Sequence, residues 1–168
     1  VQTCALPILE EYGIKPDFIV GTSAGSIVGS IYASGKNAEQ LREIALDMKV
    51  GDVRNIKIAK KGFFDGNKVE NYINQQVDHK PLQDLKIPMF VVATELKDGK
   101  KVIFNQGNTG QAVRASVSIP SMFIPATIEG KEYAQGDSDE RFAVQSISKV
   151  FSLAISFSRM GNELWKRI

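Results

Sequence analysis

The sequence is poor in the residues that most often carry chemistry at active sites. Its 168 residues include one cysteine, Cys4, and one histidine, His79. A single cysteine excludes an internal disulfide bond and a cysteine-based zinc cluster. A triad of serine, histidine and acid would need His79, which stands in "VDHKPL" near the middle of the chain, whereas α/β-hydrolases place their histidine late, after the acid. We therefore predict that His79 is a surface loop residue.

Long apolar runs and a strong charge excess are also absent. No apolar run reaches the roughly 18 residues of a membrane span, and no basic segment followed by an apolar one marks a signal peptide. With 21 basic and 19 acidic residues the formal net charge is +2. Nucleic-acid binding is not expected, because a basic stripe usually accompanies it, and the local cluster of Lys57, Lys60 and Lys61 is interpreted as a solvated loop. The sequence predicts a soluble, cytoplasmic protein with one ordinary core.

The first eight residues, "VQTCALPI", do not begin with methionine. They are also what the DNA string GTTCAGACGTGTGCTCTTCCGATC encodes, and that string resembles a common sequencing-library adapter. Segments of this kind are set apart from fold reasoning. We expect residues 1–8 to be non-native and the chain to be truncated at its start.

From residue 9 onward, strand-like and helix-like segments alternate. "KPDFIVG" predicts a short buried strand, and "IPMFVVATEL" predicts a strand buried on both faces. Helices are predicted over residues 24–34, closed by Gly35, and around residues 109–117. Asn37 and Gln40 resemble a capping box for another helix, and "KDGK" predicts a hairpin turn. This alternation favours an α/β fold with a mostly parallel sheet covered on both sides.

The segment "DFIVGTSAGSIVGS" puts a serine between glycines where the first strand meets a helix. Its central residues fit the pattern G-x-S-x-G and are Gly21, Thr22, Ser23, Ala24 and Gly25. At a strand-to-helix turn this pattern is typical of a nucleophile elbow, where a strained backbone exposes the serine hydroxyl above the sheet. The flanking glycines let backbone pass without Cβ clashes, and the Ala24 amide is a natural oxyanion donor. Ser23 is the predicted nucleophile; the alternative is that these small residues merely pack.

Three blocks of the sequence resemble the patatin-like phospholipases in the order found in that family. The blocks are "PDFIVGTSAGSIVGSIYASG", "IPMFVVATELKDGKKVIFNQG" and "AVRASVSIPSMFIPATIEGKEY", and the resemblance covers residues 9–134. It implies a three-layer α/β/α fold and hydrolysis of acyl esters of lipids or phospholipids, through an acyl-enzyme on Ser23 with an aspartate as its partner. It implies no metal and no organic cofactor. A lipase-like site also implies peripheral contact with membranes, although no amphipathic basic helix is present to anchor it.

Two features that the resemblance implies are missing. The family's glycine-rich oxyanion loop precedes the first helix, and this chain begins too late to contain it. The aspartate is expected after "EGKEY", where the chain has Gln135. Asp137 is close in sequence, but an offset of two residues in a turn would direct its side chain elsewhere. Because an amide cannot take a proton from serine, and the loss of one oxyanion donor costs ~10²–10³ in rate, we expect impaired or absent activity.

Residues 135–168 resemble a fragment of the serine-dependent glutaminases. Ser146 and Lys149 match the Ser-x-x-Lys motif of that family, and the flanks "GDSDERF" and "KVFSL" carry most of the resemblance. Residues three apart share one face of a helix, where an amine can assist deprotonation of a hydroxyl. The family's remaining catalytic groups would be missing. The alternative is an amphipathic C-terminal helix without catalytic function.

Three functional hypotheses follow from these patterns. The first is a truncated patatin-like acyl hydrolase that uses Ser23. The second is a glutaminase fragment that hydrolyses the side-chain amide of glutamine through Ser146 and Lys149. The third is an inactive chimera of two gene fragments, because the resemblance changes abruptly without a linker. The predicted organisation is a non-native segment 1–8, a partial patatin-like domain 9–134 and a glutaminase-like segment 135–168.

Overall fold

A computed structural model describes most of the chain up to residue 136. The described residues are 2–47, 56–59, 62–64, 66–120 and 122–136. The chain divides into two units, residues 1–138 and 139–168, and every described residue lies in the first. Asp137, Ser146 and Lys149 lie outside the described residues, as do the side chains of the lysine cluster.

The described part of the chain is a mixed α/β structure of five α-helices and seven β-strands. The helices are α1 Gln2–Glu11, α2 Ala24–Ala33, α3 Ala38–Asp47, α4 Asn67–Gln76 and α5 Thr109–Val117. The strands are β1 Ile19–Thr22, β2 Ile56–Ala59, β3 Gly62–Phe64, β4 Met89–Glu95, β5 Lys100–Phe104, β6 Ala126–Ile128 and β7 Lys131–Ala134.

Several boundaries follow their local sequence signals, as predicted. The helix predicted around residues 109–117 is α5, and α2 is followed by Gly35 with φ 107°. Asn37 and Gln40 form the predicted capping box: the Gln40 N–H donates to Asn37 Oδ1 at 2.8 Å, and the Asn37 N–H donates to Gln40 Oε1 at 2.9 Å. Residues 2–8 belong to helix α1, and their non-native origin stays a prediction.

Five strands form the main sheet, with β4 at its centre. β1 runs parallel to β4, whereas β5 and β7 are antiparallel to β4 and β6 is antiparallel to β7. The prediction of a mostly parallel sheet is therefore wrong for the described strands. For two of the three antiparallel pairs the reason is local. The predicted hairpin turn that contains Gly99 and the turn at Glu129 and Gly130 each return the chain beside the strand it has just left, which makes β4–β5 and β6–β7 antiparallel.

The main core lies on one face of this sheet. Met89 and Val91 of β4 are buried and alternate with less buried neighbours, as expected for a strand with one face on a core. They pack in a cluster that includes Ile31 of α2, Ile73 of α4 and Val113 of α5. Helices α2, α4 and α5 therefore pack on the face of the sheet that Met89 and Val91 share.

The other face of the sheet carries exposed apolar side chains. Val20 is 58% exposed and Ile103 is 53% exposed, and Phe18, just before β1, is exposed as well. Phe18 packs edge to face on Phe90, with ring centroids 6.1 Å apart. The prediction of a buried strand is therefore wrong for Val20 of β1, and β4, predicted to be buried on both faces, alternates buried with half-buried residues. The reason is that the described helices that contact the sheet pack on its opposite side.

Candidate active site

Ser23 alone makes the turn between β1 and α2. The strand ends at Thr22 and the helix begins at Ala24. Ser23 has φ 54° and ψ −125°, a conformation that costs a non-glycine residue about 1–3 kcal/mol. The structure thus contains the strained backbone that the motif predicts. It also confirms the need for glycine at Gly21, where backbone of Gly25 occupies the space that a Cβ would need.

Two buried serines hold the backbone on either side of the Ser23 Cα. The N–H of Ser23 donates to Ser116 Oγ at 2.8 Å. The carbonyl oxygen of Ser23 accepts from Ser26 Oγ at 2.6 Å and from the Ser26 N–H at 2.9 Å. Both Ser26 and Ser116 are fully buried. Sequence reasoning missed their roles; for Ser116 the available signal was a small polar residue in a core position of "RASVS".

The Ser23 hydroxyl and the start of α2 are available to a ligand. The Ser23 side chain does not cap α2. Within the part of the chain that the structure describes, the N–H groups of Ala24 and Gly25 donate to no protein acceptor. The first N–H groups of a helix point out along its axis and carry partial positive charge. This end of α2 can therefore stabilise an oxyanion formed beside Ser23.

Gln135 and Ser23 both hydrogen-bond to residues at the C-terminal end of helix α5. Its N–H donates to the carbonyl oxygen of Ser118 at 2.8 Å, and Ser118 is two residues beyond Ser116. Its side-chain Oε1 is buried and accepts no hydrogen bond from the described residues. The structure thus ties both Gln135 and Ser23 to the C-terminal end of α5, and the residue there is an amide where the resemblance implies an aspartate.

His79 lies at the opposite end of α5. It is exposed, in the turn that follows α4, and its N–H donates to the Asn74 carbonyl at 2.7 Å. Asn74 Oδ1 accepts from the N–H of Gly110, at the start of α5, whereas Ser116 is near its end. At ~1.5 Å per residue those two positions are ~9 Å apart along the helix. The prediction that His79 is a surface residue is confirmed.

Shifted pKa values occur away from the Ser23 turn. Burial raises the pKa of Tyr32 above its ordinary value of 10.0, and the charge and hydrogen bond of the Glu10 carboxylate raise it further. A hydrogen bond to Glu95, followed by the charge of that carboxylate, raises the pKa of Lys131.

The described ranges contain neither a candidate metal-binding cluster nor a helix suited to span a membrane. These ranges hold no group of three or more histidine, cysteine, aspartate or glutamate residues arranged to bind a metal ion. None of the helices found in them combines the length and apolar character that crossing a membrane requires.

A strand, a one-residue turn at positive φ and a helix form the nucleophile-elbow arrangement of α/β hydrolytic enzymes. The family model for patatin-like phospholipases matches residues 2–137. The chain belongs to the patatin-like phospholipase family.

Relatives in this family are considerably longer than the chain. It is 31% identical over 162 residues to an uncharacterised NTE family protein of Mycobacterium tuberculosis, covering 92% of this chain and 44% of that protein. It is 29% identical over 133 residues to human patatin-like phospholipase domain-containing protein 6, covering 76% of this chain and 10% of that protein. The chain therefore spans less than half the length of these relatives.

The C-terminal part is similar to a second family. The glutaminase family model matches residues 120–168, and 41 residues are 49% identical to glutaminase of Caulobacter vibrioides, covering 24% of this chain and 13% of that protein. Both predicted resemblances are thus confirmed. The two family matches overlap over residues 120–137, and the predicted boundary after residue 134, which lies in the overlap, stays a prediction.

Proposed function

We propose that the chain carries the nucleophile region of a serine acyl hydrolase that acts on lipid or phospholipid esters. The observation that carries the proposal is the backbone of Ser23, at φ 54° and ψ −125° in a one-residue turn before α2. Such strain persists only where surrounding structure imposes it, and it concentrates at functional sites. Membership of the patatin-like phospholipase family supports the ester substrate.

In the proposed reaction the Ser23 Oγ attacks the carbonyl carbon of the ester. The hydroxyl proton passes to a base, and the carbonyl oxygen becomes an oxyanion that the Ala24 N–H and the N-terminus of α2 stabilise. Collapse of the tetrahedral intermediate breaks the ester bond, releases the protonated alcohol and leaves an acyl group on Ser23. Water then hydrolyses this acyl-enzyme and restores the serine.

The residue at the position expected for the general base cannot act as a base in this chain. The resemblance implies an aspartate at the position that Gln135 occupies, and a carboxamide does not accept a proton at neutral pH. General-base catalysis typically contributes ~10²–10⁴ in rate. We therefore propose that the chain reacts slowly at Ser23, and that a strongly electrophilic reagent reveals this reactivity better than a natural ester does.

The proposal includes a three-layer domain and contact with a membrane surface in the complete protein. The exposed apolar side chains of Val20 and Ile103, on the sheet face opposite the described helices, support a further layer, because apolar patches of this kind are normally covered. Lipid esters reside in membranes, which supports peripheral contact.

A fluorophosphonate probe with peptide mapping tests the proposal. We expect phosphonylation of Ser23, and we expect Ser23→Ala to abolish it while the melting temperature stays within about 2 °C, the effect of a small surface change. Ser34→Ala, at the C-cap of the same helix, is the matched control and should keep full labelling. Labelling that persists in Ser23→Ala, or no labelling of the folded wild-type chain, would contradict the proposal.

A second candidate is hydrolysis of the glutamine side-chain amide through Ser146 and Lys149. The match of residues 120–168 to the glutaminase family favours it. Release of ammonia from glutamine that Ser146→Ala and Lys149→Ala each abolish would support this candidate. The same probe separates the hypotheses, because its label would map to Ser146 instead of Ser23, and an inactive chimera would carry no label.

A further inference from the structure

Ser116 joins the turn at Ser23 to the central strand of the sheet. Its Oγ accepts the N–H of Ser23 at 2.8 Å and donates to the carbonyl oxygen of Val92 at 2.6 Å. An amide N–H can only donate and a carbonyl can only accept, whereas a hydroxyl does both. The Ser116 hydroxyl therefore bridges these two backbone groups, donating to one and accepting from the other.

The two hydrogen bonds come from parts of the chain that are far apart. Ser116 and Ser23 are 93 residues apart in sequence, and Ser116 and Val92 are 24 apart. Val92 in turn is the β-partner of Thr22, the residue before the turn. The position of the Ser23 amide is therefore set by β4 and α5, and not by the turn sequence alone.

The peptide planes that meet at the Ser23 Cα define its φ and ψ. Ser116 holds the plane on the N-terminal side through its N–H, and Ser26 holds the plane on the C-terminal side through its carbonyl oxygen. The Ser26 contact is local, within one helical turn. The Ser116 contact is the long-range one, and it opposes rotation of φ toward the negative values that serine ordinarily adopts.

We propose that Ser116 is a positioning residue for the nucleophile, which keeps Ser23 at positive φ with its hydroxyl presented at the start of α2. This inference rests on the proposed role of Ser23. Ser116 hydrogen-bonds to the backbone N–H of Ser23 and not to its Oγ, so its effect is on the geometry of Ser23.

Three variants of the full chain test the inference. Ser116→Ala removes the hydroxyl, and Ser116→Thr keeps it. Ser118→Ala is the matched control, because Ser118 is equally buried at the same helix end but its hydroxyl donates to the Arg114 carbonyl at 2.7 Å, whereas the Ser23 N–H donates to Ser116. Two quantities are measured in each: hydrogen exchange of the Ser23 amide by NMR, and the second-order rate of fluorophosphonate labelling of Ser23.

We expect Ser116→Ala to lose ~10-fold in exchange protection of the Ser23 amide and ~10-fold in labelling rate, the factor that one hydrogen bond supplies. Ser118→Ala should change neither by more than about twofold, and Ser116→Thr should restore both. Where Ser116→Ala does not fold, Ser116→Cys, a weaker donor and acceptor of similar size, takes its place with the same expectations.

Each result of these measurements either supports or overturns the inference. Unchanged protection and labelling in Ser116→Ala overturn the inference. An equal loss in Ser118→Ala also overturns it, because the loss would then come from general disturbance of this end of α5. A wild-type chain that is never labelled at Ser23 refutes the proposed function and, with it, the catalytic part of this inference. The exchange measurement then still reports whether Ser116 holds the Ser23 amide, so the two failures are distinguishable.

Discussion

A Cβ atom placed on Gly21 would lie 2.6 Å from the carbonyl oxygen of Gly25 and 2.8 Å from the methyl carbon of Met89. Real Cβ atoms do not approach backbone oxygens so closely. Strand β1 and helix α2 therefore meet at a distance that only glycine permits, two residues before the serine. The first glycine of the G-x-S-x-G motif is explained by this contact.

The first prediction concerns that contact. Gly21→Ala should lower the free energy of unfolding by about 1–3 kcal/mol, the usual cost of overpacking, and should abolish probe labelling at Ser23 because the turn must open. Urea unfolding and labelling measure the two effects. Gly99→Asn is the control, since Gly99 has φ 66° with nothing within 4 Å of its Cβ position and Asn tolerates positive φ. Equal stability of Gly21→Ala and the wild type would refute the assignment.

A second prediction uses the strain at Ser23. Ser23→Gly should be more stable than Ser23→Ala by about 1 kcal/mol, because glycine adopts φ 54° and ψ −125° without the steric cost that alanine retains. Both variants lack the hydroxyl, so neither should be labelled. Chemical unfolding of the pair gives the difference directly. A more stable alanine variant would show that the turn is not strained.

The ion pair between Arg114 and Glu70 gives a third prediction. The pair joins α4 to α5 at 3.1 Å, with side chains only 15% and 18% exposed. Glu70→Gln should cost about 1.5–3 kcal/mol, because it removes the carboxylate from a hydrogen bond to a largely buried guanidinium. The control pair is Arg42 and Glu39, whose side chains are 60% and 67% exposed, and Glu39→Gln should cost less than about 0.5 kcal/mol. Similar costs at both sites would contradict the distinction.

The fourth prediction concerns alkaline pH. Because burial and then Glu10 raise the pKa of Tyr32 above 10.0 in the folded state, the folded protein holds this proton more tightly than the unfolded chain does. The resulting stability is present below pH 10 and is lost as the pH rises through the folded pKa. Tyr32→Phe should therefore show a shallower decline in unfolding free energy between pH 9 and pH 11.5. Tyr12→Phe, at an exposed position, is the control, and an unchanged slope in Tyr32→Phe would be contrary to expectation.

The fifth prediction restores a carboxylate near the site. Gln135→Asp places an acid on the residue whose N–H bonds to Ser118, two positions from the contact with Ser23. If Ser23 lacks only a base, the labelling rate should rise at least ~10-fold, within the usual range for general-base catalysis. Gln135→Asn retains an amide and should give no increase. A rate that is the same in both variants would place the missing base elsewhere.

Local signals predicted local structure well. Capping by Asn37 and Gln40, the hairpin turn that contains Gly99 and the extent of α5 depend on residues within a few positions of one another, and all three are present. The strained turn at Ser23 belongs to the same class, because the G-x-S-x-G pattern itself carries the conformational requirement.

The pairing of strands in the sheet was harder to predict from the sequence. The alternation of helices and strands predicted a mostly parallel sheet, yet the short turns after β4 and β6 give antiparallel partners. The apolar composition of β1 predicted burial, but Val20 is exposed, because composition does not state which face of a strand another layer covers.

By itself, the sequence determined the elbow motif at Ser23, the two family resemblances and the amide at Gln135, because these are properties of residue type and short spacing. The tertiary structure alone decided that Ser116 meets Ser23 at one end of α5, that Gln135 bonds to Ser118 at the same end, and that His79 lies at the other. The physical reason is that hydrogen bonds such as Ser23 to Ser116, across 93 residues, exist only after the sheet and helices have packed, and no local pattern encodes them.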